Sequence, residues 1–311
     1  MLSRVAENLY WMGRYLERTD HLARYINVEY FSTLDSPHPQ LHKIALLSII
    51  DMCGLSLNDN QNLNEEEILV TAALDDNNPV SIVSALYRGR ENARSVRDSI
   101  SSELWEAINN FYHFVASYPT DVYKTKGLFD FTTNVTQHCS NVRGRILHTL
   151  LHDMAWKFIN LGLLVERASQ VVRIVISKLN DIDEINKLKL GATMHAQHWS
   201  NLLDCVEAND MCRKYYTKAP EKYNTIEFLL VNPSFPRSVI SSLNQLIDYL
   251  KSIEYNSKTY KNSIIFKVGK LVAPFQFLEV EDIEERLPDF LQDVLSSIYK
   301  ISDLITEEYF S

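Results

Sequence analysis

Two Glu-Arg dipeptides, Glu17-Arg18 and Glu166-Arg167, lie in segments that otherwise read as apolar helix, and each is followed at the same distance by a further arginine, Arg24 and Arg173. A carboxylate in such a setting must be paired or must be working, because burying an isolated charge is strongly unfavourable. Neighbouring residues on a helix point about 100° apart, so Glu17 does not pair with Arg18 merely by adjacency, nor Glu166 with Arg167. Their partners have to come from other elements. Two chemistries meet that requirement. In one, the glutamates and arginines form reciprocal ion pairs between helices and brace the fold. In the other they line a polar cleft, where arginine forks hold a carboxylate, phosphate or amide ligand and a glutamate serves as general acid or base. A second charged group, Arg90, Arg94 and Arg97, is spaced by four and three along one predicted helical face, with Glu91 beside it and Glu103 further on. It reads either as a set of pairs with neighbouring carboxylates or as an anion site.

Other chemistries find little support. Glu17, Asp20 and His21 fall within one helical turn, and di-iron bundles use a Glu-x-x-His pair. Here the order is Glu-x-x-Asp-His, while the matching segment offers Glu166, Ser169 and Gln170, so no metal is expected. The cysteines Cys53, Cys139, Cys205 and Cys212 lack the spacing of a zinc or redox site and read as reduced thiols. Neither a G-x-S-x-G elbow, a P-loop nor a dinucleotide fingerprint occurs, and no cofactor is expected. A formal charge of −9 opposes a nucleic-acid or anionic-membrane role. The absence of an apolar run of about 18 residues, and of a signal-peptide pattern, predicts a cytoplasmic protein that does not enter the membrane.

The elements that must position these groups are helices. Hydrophobic residues make up 46% of the 311, enough for a substantial core, and with only 8 glycines and 9 prolines there is little turn chemistry for many short strands. Val5, Leu9, Met12, Leu16, Thr19, Ala23 and Ile26 recur at fours and threes and predict a first helix over 3–31. The same reasoning predicts helices near 41–52, 65–74, from Ser81, and as one long element over 90–118. Residues 119–130 read as an exposed connection, with helix again by about Val142. Residues 180–188 read as a polar bridge, and helices follow near 195–208 and 225–230. The remainder of the chain is predicted to be helices broken near Pro274 and Pro288, with a short extended stretch at 263–268.

The segments also repeat. Gly13, Glu17, Arg18 and Arg24 match Gly162, Glu166, Arg167 and Arg173 at one constant offset, and the apolar seam becomes Met154, Phe158, Leu161, Val165, Ala168, Val172 and Val175. Downstream, Asn77-Asn78-Pro79-Val80-Ser81-Ile82 answers Ser234-Phe235-Pro236-Arg237-Ser238-Val239. The expectation is an all-α helical bundle of two diverged repeats related by a pseudo-two-fold, with halves at 1–118 and 142–311 and a connection at 119–141.

The run from Leu2 through Asn8-Leu9-Tyr10-Trp11-Met12-Gly13-Arg14-Tyr15 to Glu17-Arg18 resembles the start of the alpha-E family, bacterial helical proteins named for an ER motif. Arg90-Glu91-Asn92-Ala93-Arg94-Ser95-Val96-Arg97, Leu161-Gly162-Leu163-Leu164-Val165-Glu166-Arg167 and Asn232-Pro233-Ser234-Phe235-Pro236-Arg237-Ser238 resemble further hallmark segments, in the same order. One departure is visible: Asn141-Val142-Arg143-Gly144-Arg145-Ile146-Leu147 stands where the family has a glycine-containing segment rich in Asp and Thr. The family tends to be encoded beside circularly permuted ATP-grasp-like proteins and transglutaminase-like peptidases. The resemblance therefore implies an accessory or binding role for an ATP-grasp-like ligase and a transglutaminase-like peptidase in a system making amide or peptide bonds. The alternative it implies is an enzyme of that pathway using the ER carboxylates and arginines.

Overall fold

The alternation of fours and threes becomes helix in the folded chain, and no strand occurs among the described residues. The computed structural model describes residues 1–34, 38–54, 64–188, 192–254 and 261–311. In chain order the helices are α1 (Ser3–Leu34), α2 (Pro39–Met52), α3 (Glu65–Ala73), α4 (Ile82–Ser95), α5 (Ser102–Ala116), α6 (Thr120–Val122), α7 (Leu128–Thr149), α8 (Met154–Lys187), α9 (Ala192–Asp204), α10 (Asn209–Tyr216), α11 (Lys222–Val231), α12 (Val239–Ile253), α13 (Ile264–Gln276) and α14 (Leu287–Tyr309). No described helix is long and apolar enough to cross a membrane.

The chain forms two compact units. The first comprises Met1–Arg14, Leu151–Ile176 and His195–Ser311, and the second Tyr15–Leu150 and Ser177–Met194. These bounds differ from the sequence halves 1–118 and 142–311, because α1 and α8 each give their beginning to the first unit and their end to the second.

In the first unit, α1 and α8 meet at their glycines. A Cβ on Gly13 would stand 2.3 Å from the Ile159 carbonyl oxygen, and one on Gly162 would stand 2.0 Å from that of Tyr10. Glycine weakens a helix by roughly 1 kcal/mol relative to alanine, so its presence here is explained by a backbone approach that leaves no room for a side chain. The contact is reciprocal, since each glycine meets the backbone carbonyl of the residue three positions before the other glycine. Along α14, Leu287, Leu291, Val294, Ile298, Ile301 and Ile305 form the buried seam, and the Tyr10 hydroxyl reaches Ser302 Oγ on this helix at 2.9 Å.

The second unit packs α2 on α3, α4 on α5 and α5 on α7. The single helix expected over 90–118 is interrupted: α4 ends at Ser95, Arg97–Ser99 make a 3-10 turn, and α5 begins at Ser102. Ile100 is extended, and Ser101 Oγ then accepts the Leu104 amide as the N-cap that starts a new helix. The expected connection at 119–141 is instead largely helical: α6, a π-helical turn Tyr123–Gly127 and α7 follow one another. Its polar residues conceal the buried anchors Tyr123, Leu128 and Phe131, and the Tyr123 hydroxyl donates to the Leu69 carbonyl at 3.0 Å.

Two further expectations are corrected. Residues 180–187 are the final turns of α8, whose inner side buries Ile182 and Ile185. The stretch at 263–268 is the start of α13, with Ser263 accepting the Phe266 amide as its cap. The helices do break near Pro274 and Pro288: α13 contains Pro274 and ends at Gln276, and Pro288 sits in the first turn of α14, where its missing N–H has no helical role to lose. Two turns, one in each unit, share one set of hydrogen bonds. Asp75 Oδ1 accepts from the Asn77 amide and the Asp75 carbonyl from Ser81 Oγ; Asn232 Oδ1 accepts from the Ser234 amide and the Asn232 carbonyl from Ser238 Oγ. Ser81 and Ser238 then cap α4 and α12 through the Ser84 and Ser241 amides.

Candidate functional site

Both motif glutamates are buried. Glu17 has no exposed surface and Glu166 is 1% exposed. In the second unit, Glu17 is followed one turn on by His21, whose Nε2 lies 3.4 Å from Glu17 Oε1. Asp20, also fully buried, receives Arg24 Nη2 on both carboxylate oxygens at 2.6 Å. Arg143 on α7 ties the group together, donating from Nε to Glu17 Oε2 at 3.3 Å and from Nη2 to Asp20 Oδ2. Burial alone would lower the Arg143 pKa, but Glu17 and Asp20 outweigh it and the net shift is upward. The Cys139 thiol beside this group is held well above its ordinary range, first by burial and then by Asp20, which leaves it unreactive.

In the first unit, Glu166 accepts from Arg14 Nε at 2.8 Å on Oε2 and from Gln170 Nε2 at 2.8 Å on Oε1. Arg14 also donates from Nη1 to Ser302 Oγ at 2.9 Å, and its guanidinium lies 4.9 Å from the Trp11 ring. Burial again works against the charged arginine, and the Glu166 carboxylate reverses the balance and raises its pKa. Burial likewise raises Tyr10, with Arg14 opposing. Each glutamate thus meets a residue four positions on, His21 or Gln170, and an arginine, Arg143 or Arg14.

Arg24 is buried, while Arg18, Arg167 and Arg173 are half-buried. Arg18 lies 5.5 Å from the Tyr15 ring, and Arg167 acts electrostatically on Tyr249, whose pKa burial raises. The group around Arg90 is a separate cluster of α4 and α5. Arg90 Nη1 pairs with Glu91 at 2.8 Å, Glu91 also pairs with Arg94 at 2.9 Å, and Arg90 Nε donates to Asn109 Oδ1 at 2.8 Å. Arg97, displaced from the expected helical face by the 3-10 turn, converges with Arg90 on Trp105, at 4.9 and 5.6 Å from its ring.

Sequence reasoning missed Arg14, Arg143 and Asp20 as members of these networks. Arg14 and Asp20 have no counterpart in the repeat, where Leu163 and Ser169 stand, and Arg143 lies in the segment that departs from the resemblance. A third buried group also escaped notice: Lys178 pairs with Glu29 and, at 3.1 Å, with Asp181, whose carboxylate accepts from Ser48 at 2.8 Å. Among the described residues, no cluster of three or more His, Cys, Asp or Glu side chains is placed to hold a metal ion.

A family model described as a predicted alpha-helical domain with a conserved ER motif matches residues 1–310. The chain is 21% identical over 338 aligned positions to uncharacterized proteins of Mycobacterium bovis and of two strains of Mycobacterium tuberculosis, an alignment covering 97% of this chain and 36% of each relative. The chain therefore spans about a third of the length of the curated relatives it matches. No solved structure matches.

Proposed function

Since the chain belongs to the Alpha-E family, we propose that it works by binding and not by catalysis, as an accessory protein of a cytoplasmic ATP-grasp-type peptide or amide ligase system that also includes a transglutaminase-like peptidase. The observation that supports a non-catalytic role is the enclosure of both motif glutamates, each already holding an arginine. A general acid or base has to reach the proton it transfers, and a carboxylate with no exposed surface and a committed cationic partner is suited to bracing helices. On this reading the ER motif fixes the scaffold, and recognition belongs to the surface. The same reading takes the chain as two diverged copies of one helical unit, which the reciprocal glycine contact and the two identically bonded turns support.

Co-purification of the tagged full chain from its native host, with cross-linking and identification of captured proteins, tests the proposal. Recovery of an ATP-grasp-like protein above an untagged control is the expected result, whereas its absence would remove the accessory reading. Purified chain should show no turnover of peptide or amide substrates. Turnover lost in Glu17→Gln without a change in melting temperature would establish the catalytic alternative in its place.

A further inference from the structure

A cleft in the first unit has the composition of a ligand site. It encloses about 500 Å³ and lies between α10, the end of α11 and the turn that follows, within the roughly 300–1,000 Å³ range of small-molecule sites. Lys214 and Tyr215 follow Met211 by three and four residues on α10, and the three present one stripe to it. Phe228 and Phe235, with ring centroids 4.7 Å apart, supply the aromatic floor, and Tyr215 packs on Phe228 at 5.9 Å. Two large apolar side chains of this lining stand open to solvent, Tyr215 at 62% and Met211 at 48% exposure.

The polar groups of the lining point to the ligand's chemistry. Asn232 is only 5% exposed, and its Oδ1 is occupied by the Ser234 amide, which fixes the orientation of the side-chain amide. Its Nδ2 is within reach of solvent and donates to no acceptor among the described residues. Lys214 makes no hydrogen bond or ion pair among them either; Asp210 stands one helical turn before it on α10 without pairing to it, Glu227 accepts from the Tyr216 hydroxyl at 2.6 Å and Glu207 pairs with Arg237 at 2.7 Å. An apolar cleft carrying one exposed cation and one amide donor within reach of solvent is complementary to an anion with acceptor oxygens and an apolar body.

We propose that this cleft binds a carboxylate bearing an aromatic side chain, such as the C-terminal phenylalanine or tyrosine of a peptide, with the ring against Phe228, Phe235 and Tyr215 and the carboxylate on Lys214 and Asn232. The site stands on its own lining and does not require the ligase association.

Isothermal titration of the full chain with N-acetyl-phenylalanine and with its carboxamide tests it. Saturable binding of the carboxylate is expected, with the carboxamide weaker by roughly tenfold or more, the scale of a charge-assisted hydrogen bond. Lys214→Met should erase most of that preference while keeping the apolar stem. Asn232→Asp, which retains the acceptor for the Ser234 amide, should abolish carboxylate binding without unfolding the chain, as its melting curve would verify. Tyr215→Ala, at an exposed position, should weaken both compounds. No saturable binding at millimolar concentrations, equal affinity for the two compounds, or indifference to Lys214→Met would overturn the proposal.

Discussion

A charge buried with its partner adds little net stability, but removing one member leaves the other stranded, at about 3–5 kcal/mol. Glu166 and Arg14 meet that description, at 1% and 7% exposure. Glu166→Ala should therefore lower the unfolding free energy by about that amount in thermal or chemical melts, because Arg14 keeps its charge; a change below about 1 kcal/mol would mean the pair is not a brace. His138 gives a pH dependence of defined sign. It stacks on Phe111 with centroids 5.0 Å apart, and burial lowers its pKa from the ordinary 6.5. The unfolded chain binds this proton more readily than the folded one, so the contribution is fully present above about pH 6.5 and is lost as pH falls through the folded-state value. In His138→Gln the fall in melting temperature below pH 6.5 should be shallower than in the unsubstituted chain, and identical slopes would contradict the assignment.

Among the elements, the crossing of α1 and α8 carries the sharpest constraint. An added methyl at Gly162 would meet the Tyr10 carbonyl at 2.0 Å, and backbone does not yield as a flexible side chain does. Gly162→Ala should destabilise by about 1–3 kcal/mol despite alanine's better helix propensity, and Gly13→Ala should act in the same direction. By contrast, Gly144 has open space around its Cβ position, so Gly144→Ala in α7 should be neutral or stabilise by up to about 1 kcal/mol. The three melting temperatures, compared together, separate close approach from a general glycine effect. Element positions were legible wherever periodicity was long, as in α1 and the greater part of α8. They were misread at 90–118, where a serine cap starts a new helix within a continuous apolar pattern, and at 119–141, where charged residues mask a buried strip of Tyr123, Leu128 and Phe131.

For the whole molecule, a net charge of −9 sets the long-range field, and labelled duplex DNA should show no anisotropy change with the chain at about 0.15 M salt, because binding by counterion release needs a basic surface. Saturable binding would reveal a local basic face that the total charge conceals. Composition, periodicity and the repeated Gly, Glu and Arg positions were sufficient to identify an all-helical chain and to single out Glu17 and Glu166, since each of these signals is carried by residues near one another along the sequence. Which arginine answers each glutamate was not encoded locally. Arg14 faces Glu166 and Arg143 faces Glu17 across long stretches of chain, and no spacing rule links them. The same holds for the division into compact units, which takes its pieces from three and from two separate segments. Local pattern reports the face an element must bury, but the identity of what buries it depends on how distant segments pack, and that was decided only by the tertiary structure.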